Sequence, residues 1–244
     1  MIPNAEFTIV SRTNRPITRD RAFERAKIRL RQRSELIRSS ELFMDIVKTL
    51  ESWKPTSTGS WSKVRCLALG SPIEEEQANF QLALLCEISR HLNVDTVSLY
   101  DPAFTKDDKR FLSSECSFQI ETSFESQNMD CVLFFVPHAP IDLLESLFSI
   151  KPNYILTNDV SIYTNKFSDK EYFDKYPFCA TVCNSIETKV DDGFTVVKRR
   201  NKHTITRNEI PPPKIAVLSH KINPYSTRPW AHSFSDLCLY AFKS

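Results

Sequence analysis

Four apolar runs in this chain each end in a short polar motif: Cys66-Leu-Ala-Leu-Gly70-Ser71-Pro72, Ser98-Leu-Tyr-Asp101-Pro102, Leu133-Phe-Phe-Val-Pro137-His138-Ala-Pro140 and Tyr154-Ile-Leu-Thr-Asn158-Asp159. These residue types handle ligands. A glycine turn before a helix cradles phosphate, an acidic residue after a strand holds ribose hydroxyls, and an imidazole serves as acid, base or metal ligand. In an open α/β sheet, parallel strands present their carboxyl ends on one edge, and ligands sit in the crevice there. If the four runs are such strands, Gly70, Ser71, Asp101, Pro137, His138, Asn158 and Asp159 share one rim and form a candidate pocket.

Each motif also has a plainer reading. A single glycine stands at Gly70 where the dinucleotide fingerprint needs three, and the whole chain has only 3 Gly. Ser71 suits a helix N-cap, Pro72 the first helical position, and Glu74 completes a capping box. Glu74, Glu75 and Glu76 then occupy the place where a phosphate would meet the helix dipole, and like charges repel it. Asp101 either holds hydroxyls or ties off the loop before Thr105-Lys-Asp-Asp108, itself a capping-box pattern. Prolines on both sides of His138 and Ala139 restrict the backbone and push Ala139 into an extended conformation, which fixes where the imidazole points. No G-x-S-x-G elbow and no neighbouring cysteine pair with that histidine, so no catalytic residue is assigned and a structural hydrogen bond is the favoured role. Cys179 and Cys183, with His203, His220 and His232 downstream, are too loosely spaced for a four-ligand zinc site, so neither metal nor cofactor is expected.

The elements that must position the rim follow from periodicity. Residues 6–12 read as a short strand or arm, and 18–53 as a long helical segment with Phe23, Ala26, Leu30, Ile37 and Met44 at helical spacing. Its first half is arginine-rich, and Arg25, Arg29 and Arg33 are candidate contacts for an acidic partner, against the alternative of a solvated outer face. Residues 54–63 form a linker by composition. From Val64 onward, strands at 64–70, 96–101, 117–122, 131–136 and 153–157 alternate with helices at 73–92, 106–113 and 141–149. That order predicts an α/β fold: a Rossmann-like, mostly parallel sheet with helices on both faces, a long N-terminal helix and an irregular C-terminal insertion. Only residues 123–130 join the third and fourth strands, fewer than a parallel crossover usually uses. Either that loop runs taut across the sheet edge or the third strand is antiparallel, and the sequence leaves both open.

From 161 to 232 the pattern loses its period, before Phe234-Ser-Asp-Leu-Cys-Leu-Tyr-Ala-Phe242 reads as a closing strand over 234–242. Lys198, Arg199 and Arg200 form a basic patch of the nuclear-import kind and a second candidate contact. Phe7-Thr-Ile-Val-Ser-Arg echoes Phe194-Thr-Val-Val-Lys-Arg, as related arms or by coincidence among strand-forming residues. The expected division is an arm, basic helix and linker over 1–63, an α/β core over 64–160, and an insertion and tail over 161–244.

Composition narrows the function classes. With 41% hydrophobic and 25% charged residues the chain can bury a real core. Lys+Arg 32 against Asp+Glu 30 is too balanced for the whole chain to bind nucleic acid. No apolar run approaches the roughly 18 residues that span a bilayer, and the first residues lack a signal-peptide apolar region. An intracellular protein, cytoplasmic and nuclear, with its 7 Cys as thiols is therefore expected.

Taken in order, several motifs resemble the sensitivity-to-red-light-reduced, or SRR-like, family over roughly residues 64–160, with the run at 234–242 matching the family's closing segment. They are the strand ending in Gly70-Ser71, the helix led by Gln81-Leu-Ala-Leu-Leu85, Asp101-Pro-Ala-Phe104, Pro137-His138 and Phe234-Ser-Asp236. Phe7-Thr-Ile-Val resembles the family's opening. Departures are Ala139 where the family has a cysteine, Thr157-Asn158-Asp159 where it has Gly-Asn-Ser, and Ala68 where a second glycine is common. These make shared thiol chemistry at the rim implausible. The resemblance implies a regulatory protein acting through unidentified protein partners, without an assigned reaction. Family roles are light signalling and circadian rhythm in plants, haem biosynthesis and clock-gene expression in animals, and microtubule stability in fungi; the microtubule-linked role is favoured here. The alternative from another class is a small-molecule enzyme or sensor at the rim, with S-adenosylmethionine a better candidate than a phosphate-rich cofactor because its sulfonium tolerates the acidic helix start.

Overall fold

Strand residues alternate between two apolar faces, and that alternation builds the molecule outward from one sheet. The computed structural model describes residues 19–55, 58–123, 131–187, 216–223 and 230–243. In chain order the elements are α1 (Arg19–Arg38), α2 (Glu41–Ser52), β1 (Lys63–Leu67), α3 (Glu76–His91), β2 (Thr96–Tyr100), α4 (Lys106–Cys116), β3 (Gln119–Ile120), β4 (Val132–Val136), α5 (Ile141–Ser149), β5 (Tyr154–Asn158), α6 (Asp169–Lys175), α7 (Pro177–Glu187), β6 (Ala216–Lys221) and β7 (Leu237–Lys243). Short 3-10 turns lie at Val160–Asn165 and Ala231–Ser233. The arm at 6–12, its echo at 194 and the patch Lys198, Arg199, Arg200 lie outside the described residues.

The seven strands order β3-β2-β1-β4-β5-β7-β6. β3, β2, β1, β4 and β5 run parallel, which decides the direction of the third strand. β7 enters antiparallel between β5 and β6, so the closing strand lies inside the sheet. One face presents Val64, Cys66, Val97, Leu99, Leu133, Phe135, Leu156 and Leu239 to a core shared with α1 to α4. The other presents Val132, Phe134, Val136, Ile155, Cys238 and Tyr240 to residues of α5, α6 and α7. Period two in strands flanked by period 3.6 in helices thus gives helices on both faces, as expected. Within the aperiodic stretch after 161, Tyr172, Cys179, Val182 and Cys183 are buried in that second core.

The helical segment expected over 18–53 divides at Ser39-Ser40. Ser40 Oγ donates to the Ile37 carbonyl at 2.6 Å and accepts from Phe43 N at 3.1 Å, so it ends one helix and caps the next. A serine that bonds locally in both directions competes with helix continuation. The α3 start shifts as well. Residues 72–74 form a turn, and the helix begins at Glu76, three residues after the expected 73. Gly70 at φ 77 and the bond from Glu75 N to Ser71 O, 2.8 Å, wind a separate turn first.

The inward side of α1 carries cations as well as apolar residues. Ala26, Leu30 and Ile37 bury against the core. Around them Lys27 pairs with Glu115 at 2.7 Å, Arg29 donates to the Ile73 carbonyl at 2.7 Å, and Arg38 pairs with Glu87 at 2.8 Å. Arg33 is 7% exposed; it bonds Glu76 Oε1 at 2.7 Å and Asn79 Oδ1 at 3.0 Å, and stacks over the Phe80 ring at 4.0 Å. So Arg29 and Arg33 are engaged inside the molecule, and of the three candidate contacts on this helix Arg25 alone faces solvent.

Glu87 is buried at 2% exposure and receives both Arg38 and Arg90. Burial pushes its carboxyl up, but the hydrogen bonds from Arg38 and Arg90 outweigh burial and hold it below the ordinary carboxylate range. A lowered folded value means the stabilisation is fully present above the unfolded value of about 4.3 and is lost as pH falls through the folded one. Glu87→Gln should therefore lower the urea midpoint at neutral pH and flatten its decline below about pH 4. Equal acid slopes for the two proteins would contradict the assignment.

Candidate functional site

Because β2, β1, β4 and β5 are parallel neighbours, the loops after them gather on one edge of the sheet. Asp101 and His138 are on that edge together, as the expected rim requires. The loop after β1 is tied first. Gly70 N donates to Asp101 Oδ2 at 2.8 Å, and Ala103 N donates to Oδ1 at 2.8 Å. Both carboxylate oxygens thus serve backbone groups, which is the loop-tying role. Ser71 Oγ donates to Asp108 Oδ1 at 2.7 Å, while Asp108 Oδ2 closes the capping box with Thr105 at the start of α4. The sequence signals the box but not the link from its carboxylate to the Gly-Ser turn.

The loop after β4 carries a left-handed residue. His138 has φ 53, in a region that costs a side-chain-bearing residue about 1–2 kcal/mol. What holds it there is Asn158, at the end of β5. Asn158 Oδ1 accepts from Ala139 N at 3.1 Å, and its Nδ2 donates to Ala139 O at 3.1 Å. Two buried hydrogen bonds of about 1 kcal/mol each match the backbone cost. The flanking prolines are only part of the device that aims the imidazole.

His138 points at the C-terminal segment. Its Nε2 lies 2.8 Å from the Ser233 carbonyl, and because a carbonyl only accepts, Nε2 carries the hydrogen. Nδ1 lies 3.4 Å from Asp236 Oδ1. Gln81 Nε2, from buried α3, donates to the same Ser233 carbonyl at 3.5 Å. On the other side Asp159 N donates to Asp236 O at 2.6 Å, and Asp159 Oδ2 meets Lys221 Nζ at 2.6 Å. That hydrogen bond raises the Lys221 ammonium above its ordinary value, against some desolvation. The rim residues fall into two groups: Gly70 and Asp101 bound to each other with Ser71 reaching α4 through Asp108, and His138 and Asp159 bound to the segment entering β7 with Asn158 clamping Ala139 beside them. Ser233, Asp236 and Gln81 were missed as partners, although Gln81 and Asp236 stand in the motifs quoted above.

A cavity of about 390 Å3 opens beside this closure, lined by Glu75, Glu76, Gln77, Phe80, His232 and Ser233. Its wall is acidic, and the Phe80 ring that forms part of it is covered on one side by Arg33. No cluster of three or more metal-binding side chains occurs among the described residues. Cys179 and Cys183 are buried in α7, and His220 bonds Asp45 at 2.8 Å.

A family model described as the SRR1 domain matches residues 40–241. The match begins at the Ser40 cap and takes in every rim residue; α1 precedes it.

If Asn158 is the clamp, Asn158→Ala leaves the buried Ala139 N–H without its partner and its carbonyl with only the Tyr163 hydroxyl at 3.4 Å, and should cost about 2–4 kcal/mol in urea unfolding. A loss below about 1 kcal/mol would mean the loop holds its left-handed turn unaided.

Proposed function

The chain belongs to the SRR1-domain family, and on that premise we propose that this regulatory SRR-like protein works through protein partners in cytoskeletal regulation, without catalysing a reaction. The observation that carries the reading is the occupancy of the rim by the chain itself. The Asp101 carboxylate, the His138 ring, the Asn158 amide and the Asp159 carboxylate each contact another part of the fold. His138 turns Nε2 to the Ser233 carbonyl and Nδ1 toward the Asp236 carboxylate, so both ring nitrogens face acceptors of the chain rather than a nucleophile. Among the described residues, Pro137-His138, Gln81 and Phe234-Ser-Asp236 meet where β7 is fastened, and Gly70-Ser71 and Asp101 tie neighbouring loops to each other, which is a stabilising arrangement. Function then falls to the outer surface.

On α1, Arg21, Arg25 and Arg31 face solvent beside Ile28 at 53% and Leu36 at 47% exposure. Outward arginines interleaved with apolar side chains fit an acidic protein surface. Of the roles implied by the family, microtubule stability offers such a surface for a direct assay, with action in cytoplasm and nucleus as part of the same proposal. Regulation of haem biosynthesis or clock-gene expression is the alternative within the family. A small-molecule reading retains one supporting observation, the acidic cavity at Glu75, Glu76 and Phe80.

Two measurements separate these readings. In co-sedimentation with polymerised tubulin the protein should pellet, and a combined Arg21→Glu, Arg25→Glu, Arg31→Glu variant should pellet several-fold less while keeping its melting temperature. Absence of the unaltered chain from the pellet would end the cytoskeletal reading, and an unimpaired variant would end the assignment to α1. A melting temperature raised by S-adenosylmethionine, nucleotides or haem at millimolar concentration would instead transfer the function to the rim cavity.

A further inference from the structure

Exposure divides α1 into two sides. Ala26, Leu30, Arg33 and Ile37 are buried, while Arg21, Glu24, Arg25, Ile28, Arg31, Gln32 and Glu35 are exposed. The exposed positions recur at three, four and seven residues, so they share one stripe along the helix. Ile28, 53% exposed, lies at its middle. At about 100° per residue, Arg21 and Glu35 fall within about 20° of Ile28 around the axis. Glu24 and Arg31 lie on one flank of it, and Arg25 and Gln32 on the other, each about 40–60° away. Lys27, Arg33 and Arg38 pair with Glu115, Glu76 and Glu87. Among the described residues none of the charged side chains on the outer stripe closes an ion pair within the chain.

Charge along this stripe reverses about Ile28. Arg21 precedes Ile28 by seven residues, and Glu35 follows it by seven. Glu24 precedes it by four, and Arg31 follows by three. A purely acidic partner would meet Glu24 and Glu35 as like charges on the same stripe. A copy of the stripe laid parallel would set each charge against itself. Only the antiparallel copy sets opposite signs face to face.

We infer that α1 pairs antiparallel with α1 of a second copy of this chain, about a two-fold axis at Ile28. In that register Arg21 of each copy faces Glu35 of the other. Glu24 faces Arg31, offset along the axis by one residue, about 1.5 Å. The two-fold axis runs normal to both helices, so each flank meets the same flank of the other copy. Arg25 therefore meets Gln32 and avoids Arg31, which lies on the opposite flank. The two Ile28 side chains cover each other at the centre. A contact over residues 21–35 is about 21 Å long, and a single helix pair of that length buries less than a standard interface. The dimer is accordingly weak, concentration-dependent and loosened by salt. It covers Arg21, Arg25 and Arg31, and so withholds them from an acidic partner; that consequence alone rests on the cytoskeletal reading.

Sedimentation velocity on the full chain by itself, from low micromolar to several hundred micromolar at low salt, tests the pairing. The sedimentation coefficient should rise with concentration toward that of a dimer and fall back when salt is added. Glu24→Arg and Arg31→Glu each set like charges opposite one another, so each variant alone should stay monomeric where the unaltered chain dimerises. Mixed in equal amounts the two variants should dimerise again, because every substituted position then faces its opposite charge. Lack of concentration dependence in the unaltered chain, or no recovery in the mixture of folded variants, overturns the inference. Since the unaltered chain is measured directly, a poorly folding variant does not shield it. No tubulin is present, so a failed dimer leaves the co-sedimentation result as it stands, and a failed co-sedimentation leaves the dimer.

Discussion

Parallel, in-register pairing of β2, β1, β4 and β5 is the constraint on which this molecule depends. It delivers four loops to one edge and leaves that edge to be closed. A parallel sheet normally receives a ligand there. Here the chain's own last segment does the closing: His138 and Gln81 hold the Ser233 carbonyl, and Asp159 holds Asp236. The antiparallel entry of β7 beside β5 follows, since the Asp159–Asp236 contact sits directly after the Asn158–Leu237 pair of the ladder. Closure and strand pairing are one event in different parts of the same ladder.

The left-handed His138 shows how the cost of closure is distributed. Backbone strain of about 1–2 kcal/mol is small beside the several buried hydrogen bonds converging on Ala139, Asn158 and Asp159. Tyr163 and Tyr240 place hydroxyls among these groups, Tyr172 donates to the adjoining Val160 carbonyl, and burial raises each phenol above its usual value. The hydroxyls therefore act as neutral donors and acceptors over the whole physiological range. Such a network, once complete, is costly to break in part, because each abandoned group is already desolvated.

The sheet and its rim were legible in the sequence because they rest on local signals. Apolar runs of four to seven residues, ended by Gly, Asp-Pro or Pro-His, report strand ends whatever the fold does later. Charge was less legible. Counting arginines in α1 says nothing about which side of the helix faces inward, and Arg33 and Arg38 meet partners more than forty residues away. The pairing of His138 with Ser233, 95 residues apart, has no local signature either. The helix break at Ser39-Ser40 was readable in principle, since paired serines mark caps; the continuous apolar spacing across them masked it.

A buried charge holds the chain where it leaves β3. β3 lies at the sheet edge and β4 three strands inward, with β2 and β1 between them, yet no helix occupies the described part of residues 121–131. Arg65, on the β1 face turned away from α3, is 1% exposed. It bonds Ser98 Oγ at 3.0 Å and the Ser123 carbonyl, with Glu121 at 3.6 Å. Burial lowers its guanidinium below the ordinary arginine value, with Glu121 working against that. The residues that follow β3 are thus held by the Ser123 backbone carbonyl to a side chain of β1. An arginine can serve there because its several donors reach a strand hydroxyl, a loop carbonyl and a carboxylate at once. A leucine at the same position would bury as well but would leave the Ser123 carbonyl without its donor. Arg65, a buried cation within β1, is thereby partnered by β2 and by the residues that follow β3.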